Sequence, residues 1–180
     1  MKCVTNDLGV PSFIAISHWV QNSQENIEFG SGAHFDSRIA LLRALTEVNQ
    51  FLSIGLMGGG TGEKSSLDGS TPLRLRDHPF LTSNDQPAVQ LEFGSKFGRL
   101  DTCEQVGACV RLASREGLDF LVLNQTRPDI GAPVVRVIVP GLRHFYRRFA
   151  PGRLYDVPVK LGLRDRPLSE DELNPAHPHT

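Results

Sequence analysis

The sequence is poor in several things at once. Its 180 residues hold three cysteines, one tryptophan and two tyrosines, and 19 Lys and Arg nearly cancel 20 Asp and Glu, leaving a net charge of -1. Cys3, Cys103 and Cys109 include no Cys-x-x-Cys pair, so neither a disulfide framework nor a zinc knuckle is expected. They read as buried free thiols, with Cys103 and Cys109 on different faces of a helix. The balanced charge excludes a polybasic protein that grips nucleic acid or a membrane surface through phosphate. It equally excludes a strongly charged disordered chain. No run approaches the ~18 apolar residues of a bilayer-spanning helix. Gly9 and Pro11 break the apolar stretch from Leu8 to Ser17, so no signal peptide is expected and a reducing cytoplasm fits.

What is present is ordinary globular material. Hydrophobic residues make up 39% and there are 17 glycines, and a chain of this length buries roughly 70% of its unfolded surface. One domain, or one piece of a domain, follows. The run from Val10 to Ser17 reads as a strand, with Pro11 at its tolerant first position. A polar, hairpin-like stretch from Gln21 to Glu28 and the glycines Gly30 and Gly32 come next. Asp36 is placed to cap a helix over about Ser37 to Ser53. Residues 55–62 read as flexible and 71–87 as irregular. Asp101 with Glu104 spells a capping box for a helix that runs to Glu116 and stops at Gly117. Phe120 to Leu123 reads as a buried strand and Val134 to Val139 as a second. Eight of the twelve prolines lie between Pro128 and Pro178, so the last third is expected to be extended and turn-rich. The fold class is α+β, a mixed β-sheet with helices packed on it.

The helix from Ser37 shows two faces. Leu41, Leu42, Leu45, Val48 and Leu52 form an apolar arc, taken as the core side. Asp36, Arg43, Glu47 and Gln50 follow at spacings of seven, four and three on the other side. A carboxylate, a guanidinium and an amide on one stripe suit a metal-nucleotide, with Glu47 as an Mg²⁺ ligand and Arg43 on phosphate. The alternative is a solvated face carrying an i,i+4 Arg–Glu pair. Three tempting patterns carry less. Gly58 to Ser65 nearly spells a phosphate-binding loop, but Glu63 stands where that loop needs glycine and would repel phosphate. Arg143 to Phe149 interleaves basic and aromatic residues, yet reads as a surface helix rather than a nucleic-acid clamp. His177 and His179 have no partner at zinc spacing.

Three stretches together are more specific. Gly30-Ser31-Gly32-Ala33-His34-Phe35-Asp36 leads into Arg38 through Gln50. Gln125 to Arg143 and Gly152 to Val159 follow later in the chain. In this order and spacing they resemble the C-terminal half of a YcaO-domain protein, most nearly the azoline-forming cyclodehydratases of thiazole/oxazole-modified microcins. The resemblance implies a partial YcaO-type domain over residues 1–165 and a Pro-rich extended tail over 166–180. It implies ATP and Mg²⁺ as cofactors, with phosphorylation of a peptide amide oxygen followed by loss of phosphate to leave an azoline ring. On it, Glu47 and Gln50 match the family's Glu-x-x-Gln nucleotide-site helix, with Glu47 at the metal. Arg136 matches a basic residue near the phosphates, and Arg43 joins from the stripe. No catalytic residue is assigned.

The implied partners are a precursor peptide of a bacteriocin-type pathway and a separate N-terminal YcaO half or leader-peptide-binding protein. A second copy of the chain is a further implied partner, and no nucleic acid or membrane is. Two departures stand out: the family's first half, with its own Glu-x-x-Glu-Arg helix, has no counterpart here. Nor does the end, Asn174 to Thr180, carry the family's Pro-x-Pro-x-Pro tail. The expectation is therefore a component of a cyclodehydratase that does not turn over ATP alone. The competing reading is a truncated, non-catalytic scaffold or a module that binds a partner or leader peptide. Azoline, thioamide and amidine products all stay open.

Overall fold

A computed structural model describes residues 1–21, 23–57, 74–77, 79–82, 100–142 and 151–173. The chain divides into two compact units. The first holds the described residues of 1–5 and 9–98, the second those of 6–8 and 99–173. The glycine-rich segment from Gly58 to Ser65, the segment from Arg143 to Phe149 and the His177/His179 end lie outside the described residues.

In the first unit, strands β1 (Lys2–Cys3), β2 (Ser12–Gln21) and β3 (Gln24–Ala33) form an antiparallel sheet in the order β1-β2-β3. β2 and β3 are a hairpin closed by two residues, with Gln21 opposite Gln24 and Ser12 opposite Ala33; Ser23 in the loop has φ +62°. Strand structure thus runs well beyond the Val10–Ser17 reading. Pairing carries the polar residues His18, Asn26 and Glu28 along in register, as strand preference depends on fit to a paired surface more than on polarity. Helix α1 (Ser37–Met57) follows after a tight turn. Asp36 caps it as expected: its Oδ1 accepts from the Arg38 N–H at 2.8 Å and its carbonyl from the Ala40 N–H at 3.0 Å.

Each face of this sheet has its own apolar layer. Phe13 and Ala15 from β2 meet Ala40, Ala44 and Val48 of α1. On the other face Ile27 and Phe29 pack with Leu81, flanked by Ile14, Ile16 and Leu75. Leu75 and Leu81 sit in single 3₁₀ turns, Leu75–Asp77 and Pro79–Leu81, within the stretch expected to be irregular.

The expected apolar arc of α1 needs correcting. Ala40 and Ala44 are the fully buried residues, whereas Leu42 is 63% and Leu45 44% exposed. The cause lies on β3. A Cβ on Gly30 would collide with the backbone of Ala44 and Val48, and one on Gly32 with the backbone of Ala40 and Ala44. Two missing side chains on the strand let the helix axis come close, and only small residues fit such a seam. Leu42 and Leu45 are turned away by the same contact, while Val48 is buried as expected and Leu41 packs against this core.

The second unit holds α2 (Thr102–Arg115), the antiparallel ribbon β4 (Leu121–Asn124) with β5 (Val135–Ile138), and α3 (Arg153–Lys160). The capping box forms as spelled: Asp101 Oδ1 accepts from the Glu104 N–H at 2.8 Å and Glu104 Oε2 from the Asp101 N–H at 2.9 Å. Gly117, at φ +69°, ends α2. The Leu118 N–H reaches the Ala113 carbonyl at 2.9 Å and the Gly117 N–H the Ser114 carbonyl at 3.0 Å, the double bond of a Schellman stop. The eight-residue helix α3, with Pro158 inside it, was not anticipated in a stretch read as turns. Prolines rarely persist inside helices, which hid it.

Two readings fail here. The strand around Leu121 to Leu123 is not buried, since every residue of β4 and β5 is exposed. The cysteines are free but not buried, with Cys3 and Cys103 exposed and Cys109 intermediate. Cys103 lies in the first turn of α2, on a helix whose buried residues are the alanines Ala108 and Ala113.

Asp7 ties the second unit together. Its side chain, only 3% exposed, is bonded by Arg153 and by Lys160 at 3.1 Å, and Lys160 also meets Glu116. Burial pushes the Asp7 carboxyl up, but hydrogen bonds from Lys160 and Arg153 outweigh it and hold the group below the usual carboxylate range.

Candidate functional site

The hairpin's pairing fixes which groups of β3 face outward. With two loop residues, Gln21 and Gln24 exchange backbone hydrogen bonds, and every second pair back along the ladder does the same. Ala15–Gly30 and Phe13–Gly32 are therefore bonded pairs. Ser31 and Ala33 fall between them, so their N–H and C=O groups point away from β2, along the free edge of β3.

Two side chains of α1 take up that edge. Arg43 Nη1 donates to the Ala33 carbonyl at 2.8 Å. Glu47 Oε2 accepts from the Ser31 N–H and, at 2.9 Å, from the Ser31 hydroxyl. The match follows from geometry. Four residues of helix rise about 6 Å and two residues of strand about 6.7 Å, so i,i+4 on α1 keeps step with i,i+2 on β3. Arg43 and Glu47 form no ion pair with each other among the described residues. The stripe is neither a solvated pair nor a loose charged face; it caps the end of a strand edge at Ser31 and Ala33.

Each expected site residue can now be placed. Arg43, Glu47 and Gln50 share one stripe of α1, with Glu47 half-buried and Arg43 and Gln50 exposed. Arg136 stands on β5 opposite Leu123, exposed, in the second unit. Ser31 is the residue that sequence reasoning missed. Its signal was the Gly-Ser-Gly triplet sixteen residues before Glu47, which reads as a turn until the glycines are seen against the helix.

Among the described residues no three His, Cys, Asp or Glu side chains gather as a metal cage. Glu47 offers one oxygen, Oε1, that takes no hydrogen bond among the described residues. Mg²⁺ keeps several waters and commonly binds one or two carboxylates plus substrate phosphates. The residues present fit an ion held between Glu47 and a nucleotide, and do not fit an all-protein cage.

Comparison with known proteins identifies the family. Residues 1–143 match the family model described as YcaO cyclodehydratase, ATP- and Mg²⁺-binding. The chain belongs to the YcaO cyclodehydratase family. A solved heterocyclase in complex with substrate and cofactor is similar, with 42% identity and a TM-score of 0.81 over 97% of this chain and 24% of that one. The structure of the heterocyclase TruD is similar too, at 45% identity and a TM-score of 0.74 over the same shares. An uncharacterized protein of Methanothermobacter thermautotrophicus is 30% identical over 148 residues, 79% of this chain and 38% of the relative. The chain thus spans well under half the length of the relatives it matches. No described helix is long and apolar enough to cross a membrane.

Proposed function

We propose that this chain is a component of an ATP-dependent YcaO-type cyclodehydratase acting in the cytoplasm on a ribosomally made precursor peptide of the microcin or bacteriocin kind. The observation that carries the reading is the 42–45% identity to heterocyclases across 97% of the chain. In this reading the bound nucleotide supplies the phosphoryl group that turns a peptide amide oxygen into a leaving group. Glu47 holds Mg²⁺ against the phosphates, Gln50 extends the same stripe by one turn, and Arg43 adds positive charge near the phosphates; Arg136, in the second unit, is kept as the basic residue that the family resemblance matches.

The reading is tested by Mg·ATP titration of the purified chain and of Glu47→Gln. Gln still accepts a bond from Ser31 but removes one negative donor, so Mg·ATP affinity falls while stability changes by less than about 1 kcal/mol. Equal affinities overturn the assignment. Phosphate release is expected only when an N-terminal YcaO half and peptide are supplied, because one carboxylate-bearing helix gives a fraction of the required positioning. Sustained Mg²⁺-dependent release by the chain alone would show a self-sufficient catalyst.

A non-catalytic scaffold, or a module that binds a partner or leader peptide, has one observation in its favour. The β4–β5 ribbon exposes apolar residues on both faces, as a protein-binding surface does. Peptide binding that is unaffected by ATP, Mg²⁺ and Glu47→Gln would support it.

A further inference from the structure

Satisfying the edge of β3 at Ser31 requires one acceptor for one N–H. Glu47 Oε2 does that, but it also accepts the Ser31 hydroxyl at 2.9 Å. The second bond adds nothing to the strand edge. Its effect falls on the carboxylate: two donors from one residue converge on one oxygen, fix the plane of the group and leave both lone pairs of Oε1 uncommitted. A glutamate otherwise loses the freedom of three side-chain torsions when it binds a cation; here the ordering is done in folding. Gly30 and Gly32 make the arrangement reachable, because they bring α1 close enough for Ser31 to meet Glu47.

We infer that Ser31 is a positioning residue that presents Glu47 Oε1 to Mg²⁺. The inference rests on the nucleotide reading above and adds to it the residue that orients the ligand. The experiment is calorimetric titration of ATP into the purified chain at a series of Mg²⁺ concentrations, for wild type, Ser31→Ala, Ser31→Thr and Glu47→Gln, alongside urea unfolding of each. Ser31→Ala keeps the backbone donor and loses the hydroxyl. It is expected to need roughly tenfold more Mg²⁺ for half-maximal binding, as for loss of a ligand-orienting hydrogen bond. ATP binding without Mg²⁺ and the urea midpoint should hold, and Ser31→Thr, which keeps a hydroxyl, should restore the wild-type requirement. If Glu47→Gln raises the Mg²⁺ requirement and Ser31→Ala does not, Ser31 is an edge cap only and the inference is overturned while the nucleotide reading stands. A loss in Ser31→Ala that merely tracks a lowered urea midpoint overturns it as well. If wild type shows no Mg²⁺ dependence, or Glu47→Gln behaves as wild type, the nucleotide reading fails and the inference falls with it.

Discussion

The β2–β3 hairpin and the β4–β5 ribbon are both antiparallel pairs rich in apolar residues, yet they end in opposite environments. The first has α1 on one face and the 3₁₀ turns on the other, and contributes Phe13, Ala15, Ile27 and Phe29 to the buried core. The second leaves Leu121, Val122, Leu123, Val135, Val137 and Ile138 between 46% and 62% exposed. Its cross-strand pairs put Leu121 with Ile138 on one face and Val122 with Val137 on the other, so neither face is a polar, solvent-adapted one. Apolar content does not decide burial. The first hairpin is covered because its strand offers Gly30 and Gly32 as a seat for a helix; the second has no seat and strands of only four residues, too little to be stable on their own.

The largest effect that would break this comparison is at the seat. Gly32→Val drives two methyl groups into the backbone of α1 and should destabilise the first unit by about 3 kcal/mol or more. Val137→Thr on the ribbon should stay within about 0.5 kcal/mol, as for an exposed position. Urea unfolding of the pair decides, and similar midpoints would mean that the helix does not depend on the glycines. Next in size is a contrast within α1. Ala44→Leu overfills the seam and should cost about 1–3 kcal/mol, while Leu45→Ala, one residue on, should cost less than about 1 kcal/mol because that side chain is 44% exposed. A reversed order would restore the leucine arc as the core side.

Amide exchange sharpens the contrast further. Amides shared by β2 and β3 should exchange at least about tenfold more slowly than those of β4 and β5, which open locally without disturbing a core. The smallest effect expected is one of pH in the second unit. Hydrogen bonding to Lys160 holds the Glu116 carboxyl below its ordinary value of 4.5, and Asp7 lies below its own 3.8. Groups lowered on folding add stability above their ordinary values and lose it as pH falls through the lowered ones. Lys160 is raised above 10.5, chiefly by Glu116, so its share is present below that pH and is lost as pH rises through the raised value. The second unit should therefore melt lower at pH 3 than at pH 6, and Asp7→Asn should flatten that acid limb in melts followed by circular dichroism.

Local signals in the sequence carried over well where one residue acts on its neighbours. Asp36 capping α1, the Asp101–Glu104 box and the stop at Gly117 depend on side-chain and backbone groups a few positions apart, and all three appear as read. The errors came where a distant segment decides. The arc through Leu42 and Leu45 is a sound amphipathic pattern, but Gly30 and Gly32 reward small residues and overrule it. The Leu121–Leu123 run has the composition of a buried strand, and nothing in four residues reveals whether a layer covers it. At the candidate site, periodicity found Arg43, Glu47 and Gln50 on one stripe. It could not find that Arg43 and Glu47 serve Ala33 and Ser31, because that depends on which backbone groups the hairpin register turns outward. Family resemblance pointed to the YcaO family, which the match over residues 1–143 shows, but it too gave no sign of those backbone partners.

The caps on β3 at Ser31 and Ala33 also bear on how this sheet can join another. On the other side of the sheet β1 pairs only with Phe13 and Ile14, so the outward groups of β2 from Ile16 to Val20 meet no strand among the described residues. Such a row can accept a new strand. Arg43 and Glu47 occupy the outward Ala33 carbonyl and Ser31 N–H of β3, so a strand added on that side would pair over Glu25 to Phe29 and stop short of Ser31.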